Sequence, residues 1–140
     1  MDKKLYLHIG LHKTATSSIQ QSLIKNHDLL LRNGVLYPKS LGQNHSVPIF
    51  SMFSDNPEAV YGNIIADKNV GTDYSKQNIE QQERFLREVS ENKQIHSLVI
   101  SGEGISAMPQ KGLQKLKIFI DEHFSEFELE IICYVRNPID

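Results

Sequence analysis

The sequence predicts an α/β domain built on a mainly parallel sheet with helices on both faces. Short apolar runs alternate along the chain with longer segments in which apolar residues recur at helical spacing. The apolar runs are nearly continuous, as is typical of strands buried on both faces of a parallel sheet. Strands separated by helices in this way connect through right-handed crossovers, which bring the helices to both faces of one sheet.

The first half of the chain contains two predicted strands and one long predicted helix. The run LYLHI (5–9) predicts a buried strand, residues 17–32 predict a helix, and GVLYP (34–38) predicts a short second strand. Residues 39–75 are richer in Gly, Asn, Ser, Asp and Pro. This composition predicts mostly loop, with a short helix around 57–65.

The second half repeats the alternation more clearly. Residues 77–93 and 110–124 predict amphipathic helices, and Pro109 suits the first turn of the second one. Between them SLVIS (97–101) predicts a strand, and ELEIICYV (128–135) predicts a buried strand rich in β-branched residues. We expect all of these elements to form one domain over residues 1–140.

The length, charge and cysteine content of the chain exclude several kinds of function. A chain of 140 residues with a net charge of −2 and mixed signs argues against a general nucleic-acid or anionic-membrane binder. The single cysteine, Cys133, cannot form an intrachain disulfide, and its apolar surroundings predict a buried, reduced thiol. No apolar run approaches the roughly 20 residues that span a bilayer. We expect a soluble, cytoplasmic protein without nucleic-acid or membrane partners.

Three predicted strands end in polar segments, which are the first places to look for a binding site. These segments are residues 10–18, 101–106 and 136–138. In open parallel sheets, ligands bind beyond the carboxyl ends of the strands. We therefore expect the three segments to converge in space.

The segment HIGLHKTATSSIQ (8–20) suits an anion. A strand followed by a tight turn and a helix N-terminus directs backbone N–H groups and the positive helix dipole toward one point. Gly10 permits close backbone approach and Lys13 adds positive charge. Hydroxyl donors come from Thr14, Thr16, Ser17 and Ser18. The nucleotide triphosphate pattern G-x-x-x-x-G-K-[ST] is not met, because His12 and not glycine precedes Lys13.

This segment resembles the 5′-phosphosulfate loop of sulfotransferases that use 3′-phosphoadenosine 5′-phosphosulfate, especially bacterial loops of the type H-I-G-x-H-K-T-G-T-T-S. The resemblance implies that the loop binds the 5′-phosphosulfate. The matching positions are Gly10, His12, Lys13, Thr14, Ala15, Thr16 and Ser17. Ala15 stands where the family usually has glycine, and a positive φ at this position would strain an alanine.

Two further strand ends extend the resemblance across the chain. YVRNPID is similar to the start of the family's 3′-phosphate motif, which implies that Arg136 binds the 3′-phosphate; the motif's serine would lie past Asp140. The resemblance therefore implies the N-terminal part of a domain with the P-loop NTPase-like sulfotransferase fold, incomplete at its C-terminus. In ISGEGIS, Glu103 falls where several family members carry the catalytic base, and His45 is an alternative base.

The resemblance implies a metal-independent sulfotransferase. It would use 3′-phosphoadenosine 5′-phosphosulfate as donor, release 3′,5′-adenosine bisphosphate, and sulfate a hydroxyl or amine of a small-molecule or carbohydrate acceptor. No spacing of His, Cys or carboxylates in the sequence suggests a metal site. A magnesium-dependent nucleotide kinase or NTPase, with Thr14 on the metal, remains an alternative. So does a domain that binds a nucleotide without turnover.

The same residues also have interpretations without any binding or catalytic role, and these stay open. Lys13 could be a solvated lysine in an ordinary strand-to-helix turn, and Arg136 could pair with Asp140. Glu103 could face solvent or bond to the backbone in a turn between two glycines.

Overall fold

The computed structural model describes residues 2–10, 15–55, 74–135 and 137, which fold around a four-stranded, all-parallel sheet. The strands are β1 (Lys3–His8), β2 (Val35–Leu36), β3 (Ser97–Ser101) and β4 (Phe127–Ile132). Their spatial order is β2-β3-β1-β4, so the first strand of the chain lies between the third and the fourth. The predicted α/β class with a parallel sheet is confirmed.

The helices connect these strands. They are α1 (Thr16–Lys25), α2 (His27–Arg32), α3 (Ser46–Phe53), α4 (Tyr74–Glu91) and α5 (Gln110–His123), with short 3₁₀ helices at Lys39–Leu41 and Glu103–Ala107. The two helices predicted for the second half are thus confirmed, with boundaries shifted by up to three residues.

Two predictions for the first half are corrected. The single helix predicted over 17–32 is divided at Asn26, whose side chain donates to the Ser22 carbonyl oxygen at 2.8 Å and so competes with helical bonding. The segment predicted as mostly loop contains a 3₁₀ helix and α3 within residues 39–55. The short helix predicted around 57–65 lies outside the described residues.

One face of the sheet carries the hydrophobic core. In the register of β1 and β3, Leu5 pairs with Leu98 and Leu7 with Ile100, and all four side chains are buried. Helices α4 and α5 cover this face, with Phe85 of α4 in the same buried cluster. Each such fully buried side chain contributes on the order of 1.5–3 kcal/mol.

Helix α1 contacts the opposite face of the sheet, near the carboxyl ends of the strands. Side chains alternate across a strand, so His8 and Ser101 face away from the core formed by Leu7 and Ile100. Gln20 of α1 reaches the Ser101 hydroxyl on this second face at 3.2 Å. Helices therefore contact both faces of the sheet.

Strand β4 differs from its prediction as a buried strand. It ends at Ile132, and within the described part of the chain it pairs only with β1, so it lies at an edge of the sheet. Ile131 is 60% exposed, and the Cys133 thiol is exposed and not buried as predicted. None of the described helices combines the length and the apolar character needed to cross a bilayer.

Candidate functional site at the carboxyl edge of the sheet

The ends of three neighbouring strands are joined by backbone hydrogen bonds. Beyond β3, the Gly102 N–H donates to the His8 carbonyl oxygen at 3.0 Å. Beyond β1, the Ile9 N–H donates to the Ile132 carbonyl oxygen of β4 at 2.9 Å. The residues that follow β1 and β3 therefore start from adjacent points at this edge.

The predicted phosphate-binding segment starts from this edge and continues into α1. Gly10 is buried at its start, and Ala15 precedes α1 in a left-handed conformation, with φ 62° and ψ 21°. Ala15 supplies no side-chain cap, so the first-turn N–H groups of α1 have the geometry and dipole that favour an anion. In this first turn Thr16 is buried, whereas Ser17 is exposed.

The conformation of Ala15 explains why glycine suits this position. Among the described non-glycine residues, only Ala15 has a positive φ. A left-handed conformation costs an L-residue roughly 1–2 kcal/mol because Cβ approaches the following carbonyl oxygen. Ala15 therefore has the positive φ that was considered above for a position where the resembling loops have glycine. The alanine is strained in this conformation.

The Glu103 carboxylate is held between two side-chain amides. Gln20 Nε2 of α1 donates to Glu103 Oε2 at 3.1 Å, and Asn44 Nδ2 donates to Glu103 Oε1 at 3.0 Å. The Ser46 N–H donates to Asn44 Oδ1 at 2.9 Å, which fixes the orientation of that amide. Glu103 is half-buried, and these two amide donors hold its carboxylate.

The glycines on both sides of Glu103 allow the segment that carries Asn44 to pack closely. A Cβ at Gly102 would lie 2.6 Å from the Ser46 backbone nitrogen, and one at Gly104 would lie 3.0 Å from the Ser46 Cβ. The Gly104 N–H also donates to Ser46 Oγ at 2.9 Å. The sequence SGEG therefore permits a close approach that brings the Asn44 amide to Glu103.

His8 and Ser101 form a buried polar pair beneath Glu103. His8 Nδ1 lies 2.7 Å from Ser101 Oγ, which also accepts a hydrogen bond from Gln20 Nε2 at 3.2 Å. The other ring nitrogen of His8, Nε2, is buried and has no hydrogen-bond partner among the described residues. Burial lowers the pKa of His8, and the negative charge of Glu103 opposes this effect. His8 is therefore packed among its neighbours.

His45 anchors the loop before α3 to the end of β3. Its Nδ1 accepts the Ser101 N–H at 3.2 Å, its Nε2 donates to the Gly42 carbonyl oxygen at 3.1 Å, and its ring stacks on Tyr37 at 4.3 Å. Burial lowers the pKa of His45 to about 4. Both ring nitrogens are engaged with the backbone, so this arrangement gives His45 a structural place and leaves no ring nitrogen for an acceptor.

Several predicted site residues lie outside the described residues. These are His12, Lys13 and Thr14 of the loop, and Arg136 after β4. The segments 10–18 and 101–106 follow neighbouring strand ends that are joined by the bond from Gly102 to His8, and Gln20, two residues past the first segment, contacts Glu103. The structure also reveals Gln20 and Asn44, which the sequence did not single out. The only signal for Gln20 is its position four residues after Thr16, on the same helical face.

A second concavity lies at the opposite, amino edge of the sheet. This cleft has a volume of about 710 Å³ and includes Arg87, Lys93 and His123 in its lining. These residues lie toward the C-terminal ends of α4 and α5. Among the residues that the structure describes, the lining of the cleft includes none of the site residues predicted from the sequence.

Within the described ranges, no group of three or more His, Cys, Asp or Glu residues could hold a metal ion. Comparison of the chain with protein-family models, with curated proteins and with solved structures finds no match.

Proposed function

We propose that this chain is a sulfotransferase domain of the P-loop NTPase-like type, which transfers a sulfuryl group from 3′-phosphoadenosine 5′-phosphosulfate to a hydroxyl or amine. One observation carries the proposal: Gln20 Nε2, in the helix that follows the loop HIGLHKTATSSIQ, donates to Glu103 Oε2 at 3.1 Å. A carboxylate is thereby held beside the helix whose N-terminus suits an anion. Donor binding and acceptor activation both need such an arrangement.

The donor would bind along the loop and the start of α1. Gly10, Ala15 and the first-turn N–H groups of α1 would contact the 5′-phosphosulfate, together with the Thr16 and Ser17 hydroxyls. His12, Lys13 and Thr14 would complete this group, and Arg136 would bind the 3′-phosphate, as the resemblance implies. Lys13 would stabilise the negative charge that develops on the departing phosphate.

Transfer would proceed by in-line displacement at sulfur. The acceptor oxygen or nitrogen forms a bond to sulfur while the bond from sulfur to the bridging phosphate oxygen breaks. The electron pair of the broken bond stays on that oxygen, which leaves as part of 3′,5′-adenosine bisphosphate. Glu103 accepts the proton that the acceptor loses, and its two amide donors hold the carboxylate in position for this step.

The acceptor would approach from the side of Asn44, which is exposed, because Gln20 is buried on the other side of Glu103. Polar acceptors are favoured there, since this side of the site is formed by the Asn44 amide and the Glu103 carboxylate, which are bonded to each other at 3.0 Å. Small molecules and carbohydrates with free hydroxyls carry the matching groups.

A magnesium-dependent kinase or NTPase is the second candidate, and one observation favours it. Glu103 lies just after β3, directly beside β1, at the edge from which the loop departs. A carboxylate at that point could bind magnesium together with Thr14 and substrate phosphates. A third candidate is a domain that binds a nucleotide without turnover.

Calorimetric titration separates these candidates. The 140-residue chain is titrated with 3′,5′-adenosine bisphosphate, ADP and magnesium-ATP, and Lys13→Ala is compared with Lys25→Ala, an exposed lysine at the end of α1. We expect tightest binding of the bisphosphate without magnesium, and a loss of about tenfold to hundredfold in Lys13→Ala alone.

Preference for magnesium-ATP would favour the kinase. Binding of the bisphosphate without sulfation of any alcohol, sugar or amine in an acceptor panel would favour the non-catalytic domain. Absence of binding to all three ligands would refute every one of these functions for this chain.

A further inference from the structure

Gln20 is a buried polar residue in the helix that follows the phosphate-binding loop. Its side chain is 1% exposed, and Thr16, four residues earlier on the same helical face, is 5% exposed. Both residues thus face the carboxyl edge of the sheet from the first turns of α1. A rise of about 1.5 Å per residue separates their Cα atoms by roughly one helical turn.

The Gln20 amide connects α1 to the end of β3. Nε2 lies 3.1 Å from Glu103 Oε2 and 3.2 Å from Ser101 Oγ, and its two hydrogens match these two acceptors. The Ser101 carbonyl oxygen lies further away, at 3.4 Å. A buried amide that lost these partners would incur an unsatisfied-donor penalty, so a movement of α1 must be followed by its acceptors.

The Glu103 carboxylate is thereby attached to two different elements. Oε2 is bonded to α1 through Gln20, and Oε1 is bonded to the loop before α3 through Asn44. The Asn44 amide is itself fixed by the Ser46 N–H at 2.9 Å. A shift of α1 relative to that loop would therefore rotate the carboxylate and would not merely translate it.

We propose that Gln20 is a positioning residue that couples occupation of the anion site at the start of α1 to the orientation of Glu103. The inference rests on the proposed function, because it needs an anionic ligand at that site. The first turn of α1 contacts the ligand, the helix moves as a rigid unit, and Gln20 transmits the movement to Oε2. By thermodynamic linkage, the orientation of Glu103 in turn affects ligand affinity.

The coupling is tested by NMR without any need for turnover. Chain labelled with ¹⁵N is titrated with 3′,5′-adenosine bisphosphate, and two sets of signals are followed. The backbone amides of Thr16, Ser17 and Ser18 report occupation of the site. The side-chain amide of Asn44, assigned by its loss in Asn44→Ala, reports the environment of Glu103 Oε1.

In the wild-type chain we expect both sets of signals to shift with the same dissociation constant. Gln20→Met keeps the side-chain volume and removes both donors, so the Asn44 shift should disappear while the backbone shifts remain. Gln21→Met, at the exposed neighbouring position, should behave like the wild-type chain. If Gln20→Met does not fold, Gln20→Asn keeps the amide but shortens its reach, and the same loss is expected.

The outcomes separate the coupling from the proposed function. Absence of backbone shifts in the wild-type chain would overturn the proposed function and the coupling with it. Backbone shifts without an Asn44 shift, or an Asn44 shift that persists in both Gln20 variants, would overturn the coupling alone. Where sulfation is measurable, Gln20→Met should lower kcat about tenfold and leave the KM for the donor nearly unchanged.

Discussion

The left-handed conformation of Ala15 leads to a prediction about stability. In Ala15→Gly the backbone keeps φ 62° and ψ 21°, but the Cβ that opposes this conformation is removed. The alanine methyl group is exposed, so its removal sacrifices little packing. We expect Ala15→Gly to be more stable than the wild-type chain.

The magnitude follows from two opposing terms. A left-handed L-residue costs roughly 1–2 kcal/mol, which the substitution recovers. Glycine has more conformational freedom than alanine in the unfolded chain, and this freedom reduces the gain in stability by about 0.4–1 kcal/mol. The free energy of unfolding should therefore rise by about 0.5–1 kcal/mol, which corresponds to an increase in Tm of about 2–3 °C for a domain of this size.

Urea denaturation followed by circular dichroism measures this difference. With a slope of about 2 kcal/mol per molar urea, the midpoint should rise by about 0.3–0.5 M. Ala107→Gly is the matched control, because Ala107 is also exposed but has no positive φ. That variant should lose about 0.5–1 kcal/mol. Equal effects of the two substitutions would show that Ala15 is not strained and would refute the reasoning.

Two further predictions concern Glu103 and His45. Glu103→Gln should lower turnover by roughly 10²–10⁴ and leave the affinity for 3′,5′-adenosine bisphosphate nearly intact, as measured by sulfation kinetics and calorimetry. An equal loss of stability and binding would make Glu103 structural. Burial lowers the pKa of His45 from 6.5 to about 4, so the folded state binds fewer protons than the unfolded state between these values. The free energy of unfolding is therefore not reduced by His45 above pH 6.5, and it should fall by roughly 3 kcal/mol as the pH drops to about 4. In urea titrations His45→Gln should flatten this dependence and the exposed His123→Gln should not; an unchanged slope in His45→Gln would contradict the assignment.

The sheet could be predicted from the sequence because buried strands leave a strong local signal. LYLHI and SLVIS are apolar runs bounded by glycine or polar residues, and both form strands of the parallel sheet. ELEIICYV carries the same signal, but an apolar run does not reveal whether a strand lies at the centre or the edge of a sheet. The exposure of Ile131 and Cys133 depends on which strands pair with β4, and this information is not local.

Helix α3 was missed for a related reason. Its sequence SVPIFSMF contains Pro48, which favoured a loop, but the proline lies in the first turn, where no backbone N–H is needed for helical bonding. The preceding residues, KSLGQNH, are mostly polar and include one glycine, so they also resemble a loop. The segment is nevertheless helical because Ile49 and Phe53 bury their side chains in the core.

The candidate site was only partly predictable. Glu103 and the loop that starts at Gly10 are visible because they follow apolar runs directly. Gln20 and Asn44 are not visible, because their role depends on bonds to Glu103, which is distant in sequence and close only after the sheet has formed. Spacing along the chain identifies the residues of one element, and it does not identify the partners that two elements supply to each other.

The central place of β1 has a consequence for the order of folding. Lys4 of β1 pairs with Ser97 on one side and with Glu128 on the other, so both partner strands of β1 lie far along the chain from it. Contacts across such long loops form slowly, and the sheet should assemble only after β3 and β4 have been synthesised. The edge that holds Glu103 and the start of α1 would then be completed only when β1 inserts between β3 and β4. Until β1 has inserted, the nascent chain carries it as an unpaired apolar segment that chaperones can recognise.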